Sequence, residues 1–167
     1  MMAYPASHLW WCQLSSTSSF ASPVFLGSVS PGLLEITAVQ SVATNWQILP
    51  TDDVFYIRNE AAGPHFQLGL SSQLYTVDRQ PILVSINLSN TEQQWALQPD
   101  GDGVWIQNVA LGDLGFLNVS SDGLEPSFGK WGKSEEFWDI KPVKLIDDVS
   151  FLTNTQVWVL LGRCTPM

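Results

Sequence analysis

Three pentapeptides, Trp46-Gln-Ile-Leu-Pro50, Trp95-Ala-Leu-Gln-Pro99 and Trp138-Asp-Ile-Lys-Pro142, share the pattern Trp-x-(Ile or Leu)-x-Pro. The tryptophans of successive copies lie 49 and 43 residues apart. A single copy is easily met by chance, whereas three copies at nearly regular spacing indicate an internal repeat. Repeats of this length are typical of supersecondary units that occur several times in one fold. The pentapeptides therefore predict three copies of one unit.

The sequences that follow the first two pentapeptides also match each other. Asn59 and Asn108 each lie 13 residues after the tryptophan of their copy, and an acidic turn lies between the tryptophan and the asparagine in both cases. The agreement outside the pentapeptide supports a true repeat. We therefore divide the chain into repeats at about residues 9–50, 54–99 and 104–142.

Short apolar segments rich in Val, Ile, Phe and Trp are interrupted at short intervals by Pro, Gly, Asn, Asp or Ser. Val54–Asn59 (VFYIRN) and residues 82–87 (ILVSIN) are examples. No stretch keeps a helical apolar period for more than two turns, and the ten prolines work against long helices. Short strands with frequent turn residues are typical of sandwiches and barrels. The chain is therefore predicted to be all-β.

All-β repeats of this length occur in two common architectures, the propeller blade and the trefoil leaf. Propellers have at least about four blades, and this chain has three units. Three four-stranded units, each with an inward tryptophan near its last strand, favour a β-trefoil in which large apolar side chains meet on the pseudo-threefold axis. We thus expect Trp46, Trp95 and Trp138 in the core. The trefoil is placed at residues 1–143, with a C-terminal extension at 144–167.

The charge balance bears on the partners of the protein. The chain has 167 residues with 7 Lys and Arg against 16 Asp and Glu, a formal net charge of −9. We expect no nucleic-acid partner, because phosphate contacts need clustered cations. The apolar run at 157–161 (VWVLL) is far shorter than the ~20 residues of a membrane span. The N-terminus lacks the basic and apolar regions of a signal peptide, so a cytoplasmic location is expected.

The two cysteines, Cys12 and Cys164, are too few for a disulfide framework. The sequence favours two reduced thiols, with a bridge between the termini as the alternative. The extension at 144–167 either packs on the barrel or pairs with a partner, and the sequence leaves the oligomeric state open.

The residues ahead of the repeated tryptophans resemble a known family motif. Gln93-Gln-Trp95 matches the Gln-x-Trp triplet of ricin-B-type β-trefoils, and the other copies read Thr44-Asn-Trp46 and Glu136-Phe-Trp138. Over about residues 9–143 the chain resembles a divergent ricin-B-like trefoil and is similar to small cytosolic fungal proteins of this kind. Such trefoils include sugar-binding lectins, protease inhibitors and scaffolding modules, so the resemblance implies one fold and several functions.

In ricin-B-type lectins each leaf can bind one sugar. A polar side chain on the second strand and polar residues ahead of the Gln-x-Trp tryptophan bind the hydroxyl groups, and an aromatic side chain from the third strand stacks on the C–H face. The resemblance places the second-strand position at Gly27, Gly69 and Asn118. Because the two glycines have no side chain to offer, the family pattern implies a sugar site in the third repeat alone.

The third repeat supplies the other parts of this pattern. Trp131 lies within Phe128-Gly-Lys-Trp-Gly-Lys133, a composition typical of an exposed loop, although an indole folded over the barrel rim is the alternative. Glu135 and Glu136 lie just ahead of the last repeated tryptophan. We therefore expect carbohydrate binding through Asn118, Trp131, Glu135 and Glu136, with a glycan or glycoprotein as the partner.

Catalytic motifs are missing from the sequence. His8 and His65 are far apart and fit no metal-binding spacing, and the chain has neither a nucleophile elbow nor a phosphate-binding loop. We expect no enzyme activity, no metal site and no cofactor. One alternative to the lectin is a trefoil protease inhibitor that presents a rigid loop, in which Arg79 would fill a trypsin-like pocket. The other is a protein-interaction trefoil that binds no sugar.

Overall fold

The computed structural model describes residues 9–16, 22–30, 32–71, 80–101, 103–120, 125–130 and 137–152. These residues form twelve β-strands and one short helix. In chain order the elements are β1 (Trp10–Ser16), β2 (Val24–Ser30), β3 (Leu33–Thr37), β4 (Asn45–Thr51), β5 (Val54–Asn59), β6 (Phe66–Leu70), β7 (Pro81–Ser85), β8 (Trp95–Asp100), β9 (Gly103–Asn108), β10 (Phe116–Val119), β11 (Pro126–Gly129), β12 (Asp139–Leu145) and α1 (Val149–Leu152).

Six of these strands form a barrel, and the other six form three hairpins. In the barrel β1 pairs with β4, β4 with β5, β5 with β8, β8 with β9 and β12 with β1, while a bridge between Val104 and Trp138 joins β9 to β12. The hairpins are β2–β3, β6–β7 and β10–β11. The three leaves are therefore β1–β4, β5–β8 and β9–β12. The predicted fold class, an all-β trefoil with three four-stranded repeats, is confirmed.

Residues in equivalent places of the three leaves meet in the core. Alternate side chains of a strand point to opposite faces, so each barrel strand sends a regular set inward. The inward sets are almost completely buried: Leu14, Ile57 and Ile106 on the first strands, Leu26, Leu68 and Leu117 on the second, and Trp46, Trp95 and Trp138 at or just before the last. Burial of each side chain contributes roughly 1.5–3 kcal/mol or more. The expectation that the repeated tryptophans belong to the core is confirmed.

The repeated tryptophans make the same hydrogen bond in every leaf. Each indole Nε1 donates to the main-chain carbonyl of a leucine on the second strand of its leaf: Trp46 to Leu26 at 2.8 Å, Trp95 to Leu68 at 3.0 Å and Trp138 to Leu117 at 2.9 Å. A buried indole needs such an acceptor. The bond therefore fixes the hairpin of each leaf to its last strand.

The two asparagines that the repeat spacing singled out join successive leaves. Asn59 lies on β5, and its Nδ2 donates to the carbonyl of Ala43 at 2.7 Å. Asn108 lies on β9, and its Nδ2 donates to the carbonyl of Glu92 at 3.0 Å. Both acceptors lie in the short 3₁₀ turn just ahead of the repeated tryptophan of the preceding leaf. Each asparagine thus holds a turn of one leaf from the first strand of the next.

The residues after β12 pack beside β1. The N–H of Ile146 donates to the carbonyl of Leu9 at 3.0 Å. Phe151 of α1 is buried and meets Trp11 edge to face, with ring centroids 4.7 Å apart. Together with Ile146 these rings form a small apolar cluster separate from the barrel core. The described part of the C-terminal segment, up to residue 152, is therefore attached to the trefoil.

Candidate functional site

Each leaf presents one equivalent position at which the family resemblance places a sugar-binding side chain. The leucine whose carbonyl accepts the indole hydrogen bond is followed directly by Gly27, Gly69 or Asn118. Across the three hairpins the partners of these residues are Glu35, Ile82 and Ser127, respectively. The three positions therefore correspond in space, and the leaves differ in the groups that stand there.

In the third leaf the position carries an amide beside a hydroxyl group. Asn118 is half-buried on β10, and Ser127 lies opposite on β11. Directly paired residues of antiparallel strands share a face, so their side chains are neighbours. Oδ1 of Asn118 accepts a hydrogen bond from the N–H of Val119 at 2.9 Å. This bond orients the amide, with Nδ2 on the side away from that N–H.

Several residues singled out by the sequence lie outside the described residues. They are Trp131, Glu135 and Glu136 of the predicted sugar site, Arg79 of the inhibitor alternative, and Cys164. The structure thus locates one of the four predicted binding residues, the asparagine, and the roles of the other three stay predictions.

In the second leaf the equivalent position has no room for a side chain. A Cβ at Gly69 would lie 2.7 Å from Cγ2 of Val84 and 3.1 Å from Cγ of Gln93. Gln93 is held in place, because its Oε1 accepts from the N–H of Asn87 at 2.8 Å and its Nε2 donates to the carbonyl of Ser85 at 3.0 Å. The glutamine of the Gln-x-Trp triplet is thus a structural residue that closes this position.

In the first leaf an acid reaches the position from the neighbouring strand. A Cβ at Gly27 would meet Cγ and Oε1 of Glu35 at 3.4 Å, an ordinary contact distance. The half-buried carboxylate of Glu35 therefore lies beside the site of the missing side chain. The sequence-based prediction did not include Glu35, because the family pattern has its polar side chain on the second strand and Glu35 lies on the third. The β2–β3 register pairs Glu35 with Gly27, and the sequence carries no clear signal of that register.

Two buried side chains among the described residues, a thiol and a guanidinium, have shifted pKa values. Cys12 is buried, and burial raises the pKa of its thiol to about 11, which disfavours the reactive thiolate. Arg58 is buried on β5, and burial lowers its pKa to about 10. Within these ranges no group of three His, Cys, Asp or Glu side chains is placed to hold a metal ion. No described helix has the length and apolarity to cross a membrane.

No protein-family model matches the chain, and no curated protein matches it. Solved structures do match. A mosquitocidal holotoxin superposes with a TM-score of 0.65 at 18% identity, over 80% of this chain and 16% of the toxin. A GlcNAcα1-4Gal-releasing endo-β-galactosidase from Clostridium perfringens superposes with a TM-score of 0.63 at 13% identity, over 80% of this chain and 33% of the enzyme.

A third similar structure is that of ThreeFoil, a designed protein with threefold symmetry. It superposes with a TM-score of 0.63 at 16% identity, over 78% of this chain and 99% of the designed protein. The chain spans less than two thirds of the toxin and of the enzyme but corresponds to nearly all of ThreeFoil. At these identities the likeness concerns the fold alone. It shows that the chain has the fold of β-trefoil proteins.

Proposed function

We propose that this chain is a ricin-B-like lectin that binds the sugar of a glycan or glycoprotein at the third leaf. One observation carries the proposal. Of the three equivalent second-strand positions, the third has its own hydrogen-bonding side chain, the half-buried Asn118, with the hydroxyl group of Ser127 beside it. At the second-leaf position Val84 and Gln93 leave no room for a side chain at Gly69.

The chemistry of Asn118 suits a sugar hydroxyl. A hydroxyl group donates one hydrogen bond and accepts others, and a side-chain amide can serve both needs. Oδ1 is already bonded to a backbone N–H, so the Nδ2 hydrogens are the natural donors to a ligand. In this proposal the indole of Trp131 stacks on the C–H face of the sugar, and Glu135 and Glu136 accept hydrogen bonds from further hydroxyl groups.

The proposal has consequences for partners and chemistry. Sugar binding of this kind needs no cofactor and transforms no substrate. One of the similar structures belongs to an enzyme named for releasing a disaccharide from a glycan, and this chain matches a third of that enzyme's length. That likeness is compatible with a binding module. With one such site per chain, tighter binding through this site to a multivalent glycan surface would require self-association of the protein.

A glycan array with paired variants tests the proposal. We expect the wild-type protein to bind a defined set of glycans, and Asn118→Ala and Trp131→Ala each to remove the same members of that set. Glu35→Gln is the matched control in the first leaf and should leave the signal unchanged. Binding that survives Asn118→Ala but is lost in Glu35→Gln would move the site to the first leaf. Silence of the folded wild-type protein across the array would reject the lectin.

A further inference from the structure

A second set of equivalent positions lies where the first and last strands of each leaf pair side by side. The registers Cys12 to Trp46, Phe55 to Trp95 and Val104 to Trp138 align the three leaves. One residue further along, the first strand carries Gln13, Tyr56 or Trp105. The residues opposite them on the last strand, or just before it, are Asn45, Gln94 and Phe137, respectively. We call these three places the seams of the leaves.

In the second leaf an aromatic ring fills the seam. Tyr56 is 3% exposed, and its hydroxyl group donates to the carbonyl of Leu88 at 2.8 Å. Nε2 of Gln94 in turn donates to the tyrosine oxygen at 3.3 Å. The ring and its polar end are therefore both accommodated by the protein itself.

In the third leaf a larger aromatic pair fills the seam. The ring centroids of Trp105 and Phe137 are 4.4 Å apart. The indole Nε1 of Trp105 donates to Oδ2 of Asp100 at 3.1 Å, and a second ring, Phe116, meets the indole edge to face at 5.7 Å. Two of the three seams thus contain aromatic rings with their polar atoms satisfied.

In the first leaf the seam holds two short amides and is open. A depression of about 330 Å³ is present there, lined by Gln13, Gln40, Ser41, Asn45, Val143 and Lys144. Gln13 is 6% exposed and Asn45 is 7% exposed, so their amides form its floor. Among the described residues the Gln13 side chain has no hydrogen-bond partner. Its amide borders the open depression, so a polar ligand can bond to it in place of water.

A register shift in the pairing of β1 with β12 lies beside this depression. Between Trp11 and Cys12 the pairing of β1 with β12 slips, so that Lys144 and Pro142 are matched to consecutive residues and Val143 is the extra residue. Such bulges redirect side chains and are common beside binding sites. Val143 is 40% exposed and supplies an aliphatic side chain to the otherwise polar lining of the depression.

The charges of the described residues around the depression include no excess positive charge. Glu60 accepts from Nζ of Lys144 at 2.8 Å through one carboxylate oxygen and from Nδ2 of Asn45 at 2.7 Å through the other. Asp147 also interacts favourably with Lys144 and, after the hydrogen bond of Glu60, contributes to its raised pKa. The described lining therefore has no positive charge left over for an anionic ligand. The amides and the Ser41 hydroxyl group instead offer donors and acceptors to a neutral ligand.

We infer that the open seam of the first leaf is a binding site for the pyranose ring of a neutral sugar. The ring takes the place that Tyr56 and Trp105 fill in the other leaves, and its hydroxyl groups bond to the amides of Gln13 and Asn45. A volume of about 330 Å³ in this shallow, open depression is enough for one sugar unit that keeps one side toward solvent. This site is separate from Asn118 and does not depend on the lectin site proposed in the third leaf.

Nuclear magnetic resonance of the side-chain amides tests both sites in one experiment. The probes are galactose, glucose, mannose, N-acetylglucosamine and N-acetylgalactosamine, with N-acetylneuraminic acid as the anionic counterpart. We expect at least one neutral sugar to shift the amide signals of Gln13 and Asn45 saturably. Unmoved signals of these two residues with every sugar, or shifts with the anionic sugar alone, would overturn the inference. Shifts at Asn118 alone would retain the third-leaf site and reject this one.

A double substitution copied from the second leaf supplies the matching variant. In Gln13→Tyr combined with Asn45→Gln the first leaf acquires the residue pair that the second leaf already accommodates, so the fold should be kept. We expect the dissociation constant at the seam to rise at least about tenfold, equivalent to ~1.4 kcal/mol. Gln98→Tyr, outside the seam on β8, is the control and should bind as the wild type does. Equal affinity of the folded double variant would also overturn the inference.

Discussion

At the scale of single residues, the equivalent positions Gly27, Gly69 and Asn118 show how neighbours decide what one position can hold. The backbone surroundings are alike in the three leaves, since each position follows the leucine that accepts an indole hydrogen bond. The space available at the three positions differs because the side chains that face them differ. At Gly69 the neighbours approach closely enough to exclude a methyl group, whereas at Gly27 they stand at ordinary contact distance.

This difference predicts opposite tolerance to the same substitution. Gly69→Ala places a Cβ 2.7 Å from Val84 and should destabilise the protein by about 1–3 kcal/mol, the usual cost of overpacking a core. Gly27→Ala is the matched control, and its effect should stay within about 0.5 kcal/mol because its contacts begin at 3.4 Å. Urea denaturation of both variants measures the difference. Equal stabilities would mean that the side chains of Val84 and Gln93 move aside to accommodate the added methyl group.

At the scale of elements, a single hydrogen bond ties each hairpin to the last strand of its leaf. The indole of Trp95 is wholly buried, and its Nε1 bonds to the carbonyl of Leu68. Phenylalanine would keep most of the ring but lack the donor. The carbonyl would then be buried without its partner, which costs roughly 1–3 kcal/mol.

We accordingly expect Trp95→Phe to lower the free energy of unfolding by about 1–3 kcal/mol and Trp95→Ala by about 3–5 kcal/mol. Trp10→Phe is the control, because Trp10 is only half-buried on β1. It should change stability by less than about 1 kcal/mol. Chemical denaturation followed by circular dichroism measures all three variants. If Trp95→Phe were as stable as the wild type, the indole bond would contribute nothing to holding the hairpin.

Some features of the strands and leaves could be predicted from the sequence, and others could not. The repeated Trp-x-(Ile or Leu)-x-Pro pattern predicted the three leaves and the buried tryptophans, because regular spacing and side-chain alternation are properties of the chain itself. The roles of Glu35 and Gln13 depend on which residue each faces across a strand pair. A register shift within β2–β3 accompanies the pairing of Glu35 with Gly27, and Gln13 faces Asn45 across β1–β4 beside the shift within β1–β12. Shifts of this kind leave no clear mark in the sequence.

At the scale of the whole molecule, three nearly equivalent leaves share one barrel core and diverge at their surfaces. The leaves contribute matching residues to the core, so the barrel can stay the same whichever leaf has a binding site. The second-strand positions and the seams differ from leaf to leaf. The third leaf has a polar second-strand residue and a filled seam, while the first leaf has the reverse arrangement of an open seam and a glycine. The asparagine of the predicted sugar site followed from the family resemblance, and the open seam did not.

The stability of the whole molecule should fall in alkaline solution through a group in its core. Cys12 has a pKa of about 11 in the fold because of burial, against an ordinary value of 9.0. Between these values the folded chain binds more protons than the unfolded chain, so stability decreases as pH rises. We expect the urea midpoint of the wild type to drop more steeply in this window than that of Cys12→Ala. Parallel curves for the two proteins would assign the alkaline loss of stability to other groups.

The asparagine bonds between leaves have a consequence for how the chain can be divided. Asn59 and Asn108 each belong to one leaf by sequence but hold a turn of the leaf before it. A fragment cut at the sequence boundary of a repeat therefore lacks the residue that fixes its own turn. A segment that runs from one 3₁₀ turn to the next, offset from the sequence repeat, contains both the turn and the asparagine that holds it. Circular permutants and split-protein fragments of this chain are best joined and cut in that offset frame.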